Sequence, residues 1–321
     1  MTHQQAPVFS GNGAPPVAEV PFDLQAALEQ VEQVMFATVN SDVDVLREAS
    51  RHILSAGGKR IRPRLTVLSF AAAGGVDLSH ATPLAAAVEL VHTASVVHDD
   101  INDHGVVRRG RPSVNSLWGR TFALLTGDYL FTKVYELMAP YGNLNLIMAE
   151  AASALVEGET LQAAAVKNNH FTREVYYRII ALKTAALFRA AAGLGARVAN
   201  ASCSFEQALE SFGFNIGLAF QIVDDVLDVT ADSEQLGKTS GIDVEQGRGF
   251  TVAYEHDEPA PPQDPMEAIR ARILQGDAIR EAYEQANHFV DLAVSDLSVL
   301  PDSSAKRQLI ELAYSVVSRS A

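Results

Sequence analysis

Cysteine is almost absent from the sequence. Cys203 is the sole one in 321 residues, so no internal disulfide can form and a reducing compartment is the simplest setting. An excess of basic residues is also missing. The 25 Lys and Arg stand against 39 Asp and Glu, and a net charge of −14 argues against nucleic acid or anionic membrane as a primary partner. No basic segment followed by an apolar stretch opens the chain, so no signal peptide is expected. The most apolar window, Ala81 to Val97, is broken by Glu89 and His92 and falls short of the ~20 apolar residues that span a bilayer. A cytoplasmic protein without a membrane span is the expectation. Continuous β-branched runs bounded by turns are scarce, which disfavours a sheet protein.

What is abundant is alanine and leucine in runs such as "ATPLAAAVEL" and "LKTAALFRAAAGLG", and these favour helix. The composition predicts an all-α chain. Residues 1–21, rich in Pro, Gly, Gln and Ala without periodicity, are expected to form a flexible segment ahead of a domain covering 22–321. Amphipathic segments predict helices over 22–39, 43–55, 62–73, 80–103, 120–138, 143–166, 172–195, 204–230, 265–298 (broken near Gly276) and 302–319. Ser79 is the expected N-cap of the fourth, with Pro83 in its first turn. The acidic, proline-rich stretch 254–265 reads as an exposed loop.

Two carboxylate clusters share one spacing. "HDDIND" carries Asp99, Asp100 and Asp103, and "VDDVLD" carries Asp224, Asp225 and Asp228. Positions i, i+1 and i+4 of a helix lie at about 0°, 100° and 40°, so each triplet is expected on one side of its helix. Each also follows a long apolar helix and so lies near a helix C-terminus, where like-charge repulsion and the dipole both disfavour negative charge. Solvated acidic helix ends are the bland reading. A divalent cation is the other, and oxygen-only ligands suit Mg²⁺ or Mn²⁺ held together with substrate phosphates.

Basic residues cluster near both. "SAGGKRIRPRL" places glycines before Lys59 and Arg62 with Pro63 in a first helical turn, an arrangement suited to a diphosphate. Arg108 and Arg109 follow the first carboxylate cluster on a loop. A solvated basic face would explain either group equally simply. His92 lies two turns before Asp99 on nearly the same face, as a ligand contact or as a satisfied core residue. Lys183 and Thr184 interrupt an apolar helix, and the lysine either snorkels or points into a polar cavity. Gln221 sits one turn before Asp224.

In this order, "GGKRIRP", "HTASVVHDDIND", "RRGRPSV", "GDYLF", "ALKTA", "FQIVDDVLD" and "GK" (237–238) resemble the trans-isoprenyl diphosphate synthase (polyprenyl synthetase) family from about residue 25 onward. The resemblance implies a single-domain isoprenoid-synthase-type bundle around a central cavity, a homodimer, and condensation of isopentenyl diphosphate with an allylic diphosphate. It implies that Asp99, Asp103 and Asp224 bind magnesium directly, with Asp100, Asp225 and Asp228 as further or water-mediated ligands. Lys59, Arg62, His92 and Arg109 would hold isopentenyl diphosphate. Arg108, Lys183 and Lys238 would contact the allylic diphosphate, and Thr184 and Gln221 would face the developing carbocation. The stretches "HGVVRRG" and "DVEQGRGFTVAY" depart from the usual pattern, and Arg248 receives no role.

In this family, side chains four and five positions before the first cluster set product length. Here they are the small Ser95 and Ala94, which implies products above C20, with a geranylgeranyl product as the alternative if a deeper wall lies close. Ile147, Met148, Ala151 and Leu155 would supply that wall, or are ordinary core. A class I terpene cyclase would leave "GGKRIRP" unexplained, and a non-catalytic subunit of a heteromeric prenyl synthase would have lost the aspartates. A carboxylate-rich metal-storage bundle would show Glu-x-x-His pairs, which are not found.

Overall fold

The computed structural model describes residues 22–168, 170–230 and 277–318. The segment 1–21, Lys238, Arg248, the 254–265 loop and the first part of the 265–298 prediction with its break lie outside the described residues.

Helices dominate, as expected: α1 (Leu24–Thr38), α2 (Asp44–Ser55), α3 (Ile61–Ala72), α4 (Thr82–Asn102), α5 (Val114–Met138), α6 (Leu144–Lys167), α7 (Arg173–Ile180), α8 (Ala186–Val198), α9 (Cys203–Thr230), α10 (Ala278–Asp296) and α11 (Ser304–Val317). Local chemistry sets several starts. The side chains of Asp23, Ser113, Thr172 and Ser303 each accept a hydrogen bond from a first-turn amide of α1, α5, α7 and α11. Ser79 does not cap α4 as predicted. It lies inside the 3₁₀ turn Leu78–His80, which Asp77 caps, and α4 begins at Thr82 with Pro83 in its first turn. The fifth helix begins six residues before its predicted start, because Ser113 caps it and the left-handed Gly119 (φ 79°) kinks it without ending it.

Small residues let the helices close in. Ala85, Ala86, Ala87, Ala191, Ala192 and Ala219 are fully buried, and one hydrophobic core runs from α1 through α11. Within it α4 packs on α5, α3 and α1, α8 packs on α3, α6 and α9, and α10 covers α9. Arg173–Val198, not Ala81–Val97, is the described segment long and apolar enough to cross a membrane. Some 72% of its apolar window is buried inside the bundle, which makes it a core element here.

The predicted single helix over 172–195 is interrupted. Ala181–Ala185 form a π-helical turn between α7 and α8, an insertion of the kind concentrated at functional sites. Two two-residue strands, β1 (Val107–Arg108) and β2 (Arg111–Pro112), make an antiparallel hairpin after α4. Its turn residues Arg109 and Gly110 have φ of 52° and 70°, the positive pair that a type I′ turn requires. His52 on α2 meets the Pro112 carbonyl at 2.8 Å and Arg111 donates to Ser55 at 3.0 Å, which pins the hairpin over the end of α2.

Candidate active site

A cavity of about 200 Å³ opens where α4, α6, the π turn, α8 and α9 meet beneath the hairpin. Its wall carries Asp99 and Asp103 from α4, Asp224 and Gln221 from α9, Lys183 and Thr184 from the π turn, Arg62, His92 and Arg108. The sequence-predicted residues therefore largely converge. The π turn explains how neighbours Lys183 and Thr184 both reach one cavity, since the extra residue widens that turn.

The carboxylate triplets do not act as units. Asp99, Asp103 and Asp224 line the cavity, whereas Asp100, Asp225 and Asp228 are buried away from its wall. Asp100 accepts from Arg108 Nε and Nη2 at 2.9 and 2.5 Å. Asp225 accepts from the Tyr176 hydroxyl at 2.6 Å and from Gln221 Nε2 at 2.8 Å. Residue i+1 stands about 100° around the helix, enough to turn it from the cavity into the protein. The protein therefore answers part of the charge conflict itself, and the expectation that all three of each set face one side does not hold.

Strain concentrates in the "GGKR" loop. Gly57, Gly58 and Arg60 have φ of 71°, 132° and 47°. A Cβ at Gly58 would sit 2.6 Å from a guanidinium nitrogen of Arg109, so the glycine admits that side chain as well as the backbone angle. Arg60 is buried and holds the loop by donating to Glu89 at 3.0 Å, Glu32 at 3.2 Å and the Leu54 carbonyl at 2.8 Å. The basic cluster thus divides. Arg62 faces the cavity and Arg60 is a strut. Lys59 is exposed and not on the cavity wall, and Arg109 stands beside Gly58 rather than on the wall.

Electrostatics is tuned by burial. His92 is pushed well below the usual imidazole range by desolvation and by Arg62, Arg109, Arg108 and Arg60, so it is neutral at pH 7. Arg62 is pulled down to about 10, chiefly by desolvation against the attraction of Glu89 and Asp224, and remains a cation. Desolvation pushes Asp99 up to about 7, with Lys183 opposing and Glu159 and Asp103 adding. The native state therefore binds a proton there that the unfolded chain, with a carboxylate near 3.9, does not. That contribution to stability is complete below the unfolded value and is lost as pH rises to about 7. Metal-free Asp99→Asn is accordingly expected to melt several degrees above the native chain at pH 8, and by a markedly smaller margin at pH 5, where only part of the contribution is lost. Equal melting temperatures at both pH values would refute the raised carboxylate.

Ser95 lines the cavity, while Ala94 is fully buried off its wall. The expected deeper stripe also splits. Leu155 floors the cavity with Val96, Leu187 and Phe220, and Met148 is core. Ile147 and Ala151 line a separate cleft of about 330 Å³ that shares no lining residue with the first. Glu159 and Tyr176 were not foreseen. A carboxylate in an unremarkable stretch of helix gives no local signal, and Tyr176 is 49 residues from its partner Asp225.

The donor set fits a hard divalent cation: three carboxylates from two helices face one cavity, and Asp99 is held at an unfavourable ionisation that such an ion would relieve. Among the described residues no three His, Cys, Asp or Glu converge tightly enough to hold an ion by themselves.

An all-helical bundle with paired aspartates facing arginines and a lysine across an apolar-floored cavity defines a diphosphate-handling enzyme of the isoprenoid-synthase fold. The polyprenyl synthetase family model matches residues 43–286, and the chain belongs to that family of prenyltransferases. It is 36% identical to the octaprenyl diphosphate synthase of Escherichia coli (strain K12), across 90% of this chain and 94% of that one. It is 37% identical to the short chain isoprenyl diphosphate synthase of Methanothermobacter thermautotrophicus, across 86% and 91%. Its structure resembles that of the polyprenyl synthase from Caulobacter crescentus CB15 complexed with calcium and isoprenyl diphosphate, with a TM-score of 0.87 at 33% identity over 92% and 96% of the two chains.

Proposed function

We propose that one domain spanning 22–321 elongates an allylic diphosphate with isopentenyl diphosphate, using Mg²⁺, to products above C20. The observation that carries this reading is the convergence of Asp99, Asp103 and Asp224 with Arg62, His92, Arg108 and Lys183 on one cavity. The calcium and isoprenyl diphosphate of the Caulobacter structure are consistent with the metal and substrate class. Arg62 and neutral His92 hold isopentenyl diphosphate, with Lys59 and Arg109 closing over it from the loop and hairpin. Arg108 and Lys183 take the allylic diphosphate, together with Lys238.

Bound at Asp99, Asp103 and Asp224, the divalent cation would neutralise charge that develops on the leaving diphosphate. Arg108 and Lys183 stabilise the same charge with fixed donors that need no reorganisation as the C–O bond breaks. Thr184 donates to Gln221 Oε1 at 2.7 Å, and Gln221 is in turn anchored on Asp225. That series fixes hydroxyl and amide dipoles beside the developing carbocation. Val96, Leu155, Leu187 and Phe220 exclude water that would quench it. The departing diphosphate accepts the proton released after the new C–C bond forms.

Exposed apolar side chains on α5 and α6, among them Leu124, Leu125, Leu146 and Val156, support a homodimer, and a cytoplasmic location is part of the same proposal.

Product analysis with labelled isopentenyl diphosphate and primers of increasing length tests the function, and no elongation in the presence of Mg²⁺ would refute it. Two relatives of similar identity differ in product class by name, so overall similarity does not fix chain length. Ser95 is the local determinant on the cavity wall, and the fully buried Ala94 lies off that wall. Ser95→Phe is expected to shorten the product, since a phenyl ring would fill volume the growing chain needs. An unchanged product distribution with activity intact would remove Ser95 from the chain-length role.

A further inference from the structure

Glu159 faces a cation that the site offers to its ligand. Its Oε1 lies 2.5 Å from Lys183 Nζ, with the two side chains 29% and 25% exposed. Both residues line the 200 Å³ cavity and also an adjoining cleft of about 720 Å³, together with Asp99 and Asp103, so the ion pair stands on the shared wall of the two spaces. The approach is built into the backbone. A Cβ at Gly158 would lie 2.7 Å from the Lys183 amide nitrogen, so only glycine lets α6 come this close to the π turn. A negative side chain that repels a diphosphate and occupies one of its cations costs affinity. An ion pair serving only to hold Lys183 in place would have its lysine as that site's donor at no gain to the ligand.

We propose that Glu159 is a positioning residue that competes with the diphosphate for Lys183, weakening the grip of the site so that the leaving diphosphate departs. On arrival, the diphosphate draws the ammonium partly from Glu159. On departure, Glu159 reclaims it, so that one charge-assisted contact replaces another. The inference rests on the reading that Lys183 binds the allylic diphosphate.

Calorimetric titration of inorganic pyrophosphate into the metal-free full chain tests it, with Glu159→Gln, Glu159→Ala and Lys183→Ala alongside the native protein. Removal of the competing charge is expected to tighten binding about tenfold in both Glu159 variants, the scale of one charge-assisted contact, while Lys183→Ala weakens it by a similar factor. In steady state, Glu159→Gln should lower both kcat and the KM for the allylic substrate, as a slower release step requires. Binding that is weaker or unchanged in both Glu159 variants, while Lys183→Ala weakens it, would overturn the competition and leave the site reading standing. Native-like binding in Lys183→Ala would overturn the site reading itself.

Discussion

Asp224→Ala is expected to reduce turnover by about three orders of magnitude while the melting temperature stays near native. Asp224 is one of only three cluster aspartates on the cavity wall, and it comes from the helix opposite Asp99 and Asp103. Metal-type stabilisation of a leaving group is worth several kcal/mol, and each ~1.4 kcal/mol is tenfold in rate. Asp99→Ala should behave alike. The neighbouring Asp225→Ala should differ in kind. Asp225 is buried and accepts from Tyr176 and Gln221, so its loss strands a buried hydroxyl and an amide at about 1–3 kcal/mol each. Asp225→Ala should therefore lower the melting temperature before anything else, and Asp100→Ala, which strands Arg108, should follow it. Turnover at saturating Mg²⁺ beside thermal melts of the four variants separates the classes. A near-native rate in Asp224→Ala would sink the assignment of the cavity-facing carboxylates.

That contrast also marks what was legible in the sequence. Periodicity and the two repeated spacings located both clusters, the basic loop and the helices that bring them together, because each is a local pattern. Which member of a triplet faces the cavity depends on how each helix is rotated in the bundle and on what its other carboxylates meet there, which the spacing alone does not give. Arg108 claims Asp100 from the first strand of the hairpin, eight residues on, and Tyr176 claims Asp225 from another helix 49 residues away. The π turn was hidden for a related reason. Four of its five residues in "ALKTA" are good helix formers, and the feature packed against it is the close approach of α6 at Gly158, far away in the chain. The division between Arg60 and Arg62 was equally invisible. Both belong to one basic run, yet Arg60 adopts a left-handed backbone and spends its guanidinium on Glu89, Glu32 and a carbonyl, while Arg62 stands in the first turn of α3.

Arg62→Ala is expected to raise the KM for isopentenyl diphosphate roughly ten- to hundred-fold, the cost of one or two charge-assisted contacts, with little change for the allylic substrate. Arg62 is a buried cation whose Nε finds no hydrogen-bond partner among the described residues. Its guanidinium carbon lies 4.7 Å from the centroid of the Phe188 ring, a contact that does not satisfy Nε. Keeping such a group charged and under-satisfied is costly in a folded protein, and desolvation already pulls it down to about 10. The deficit is made good when an anionic ligand arrives, so the same substitution should leave the ligand-free protein no less stable than native. Arg62→Lys keeps the charge but loses the planar fork and its seat on Phe188, and should recover only part of the affinity. Initial rates measured against each substrate in turn decide the matter. A shift in the allylic KM with the isopentenyl diphosphate KM unmoved would mean that the two diphosphate sites have been assigned the wrong way round.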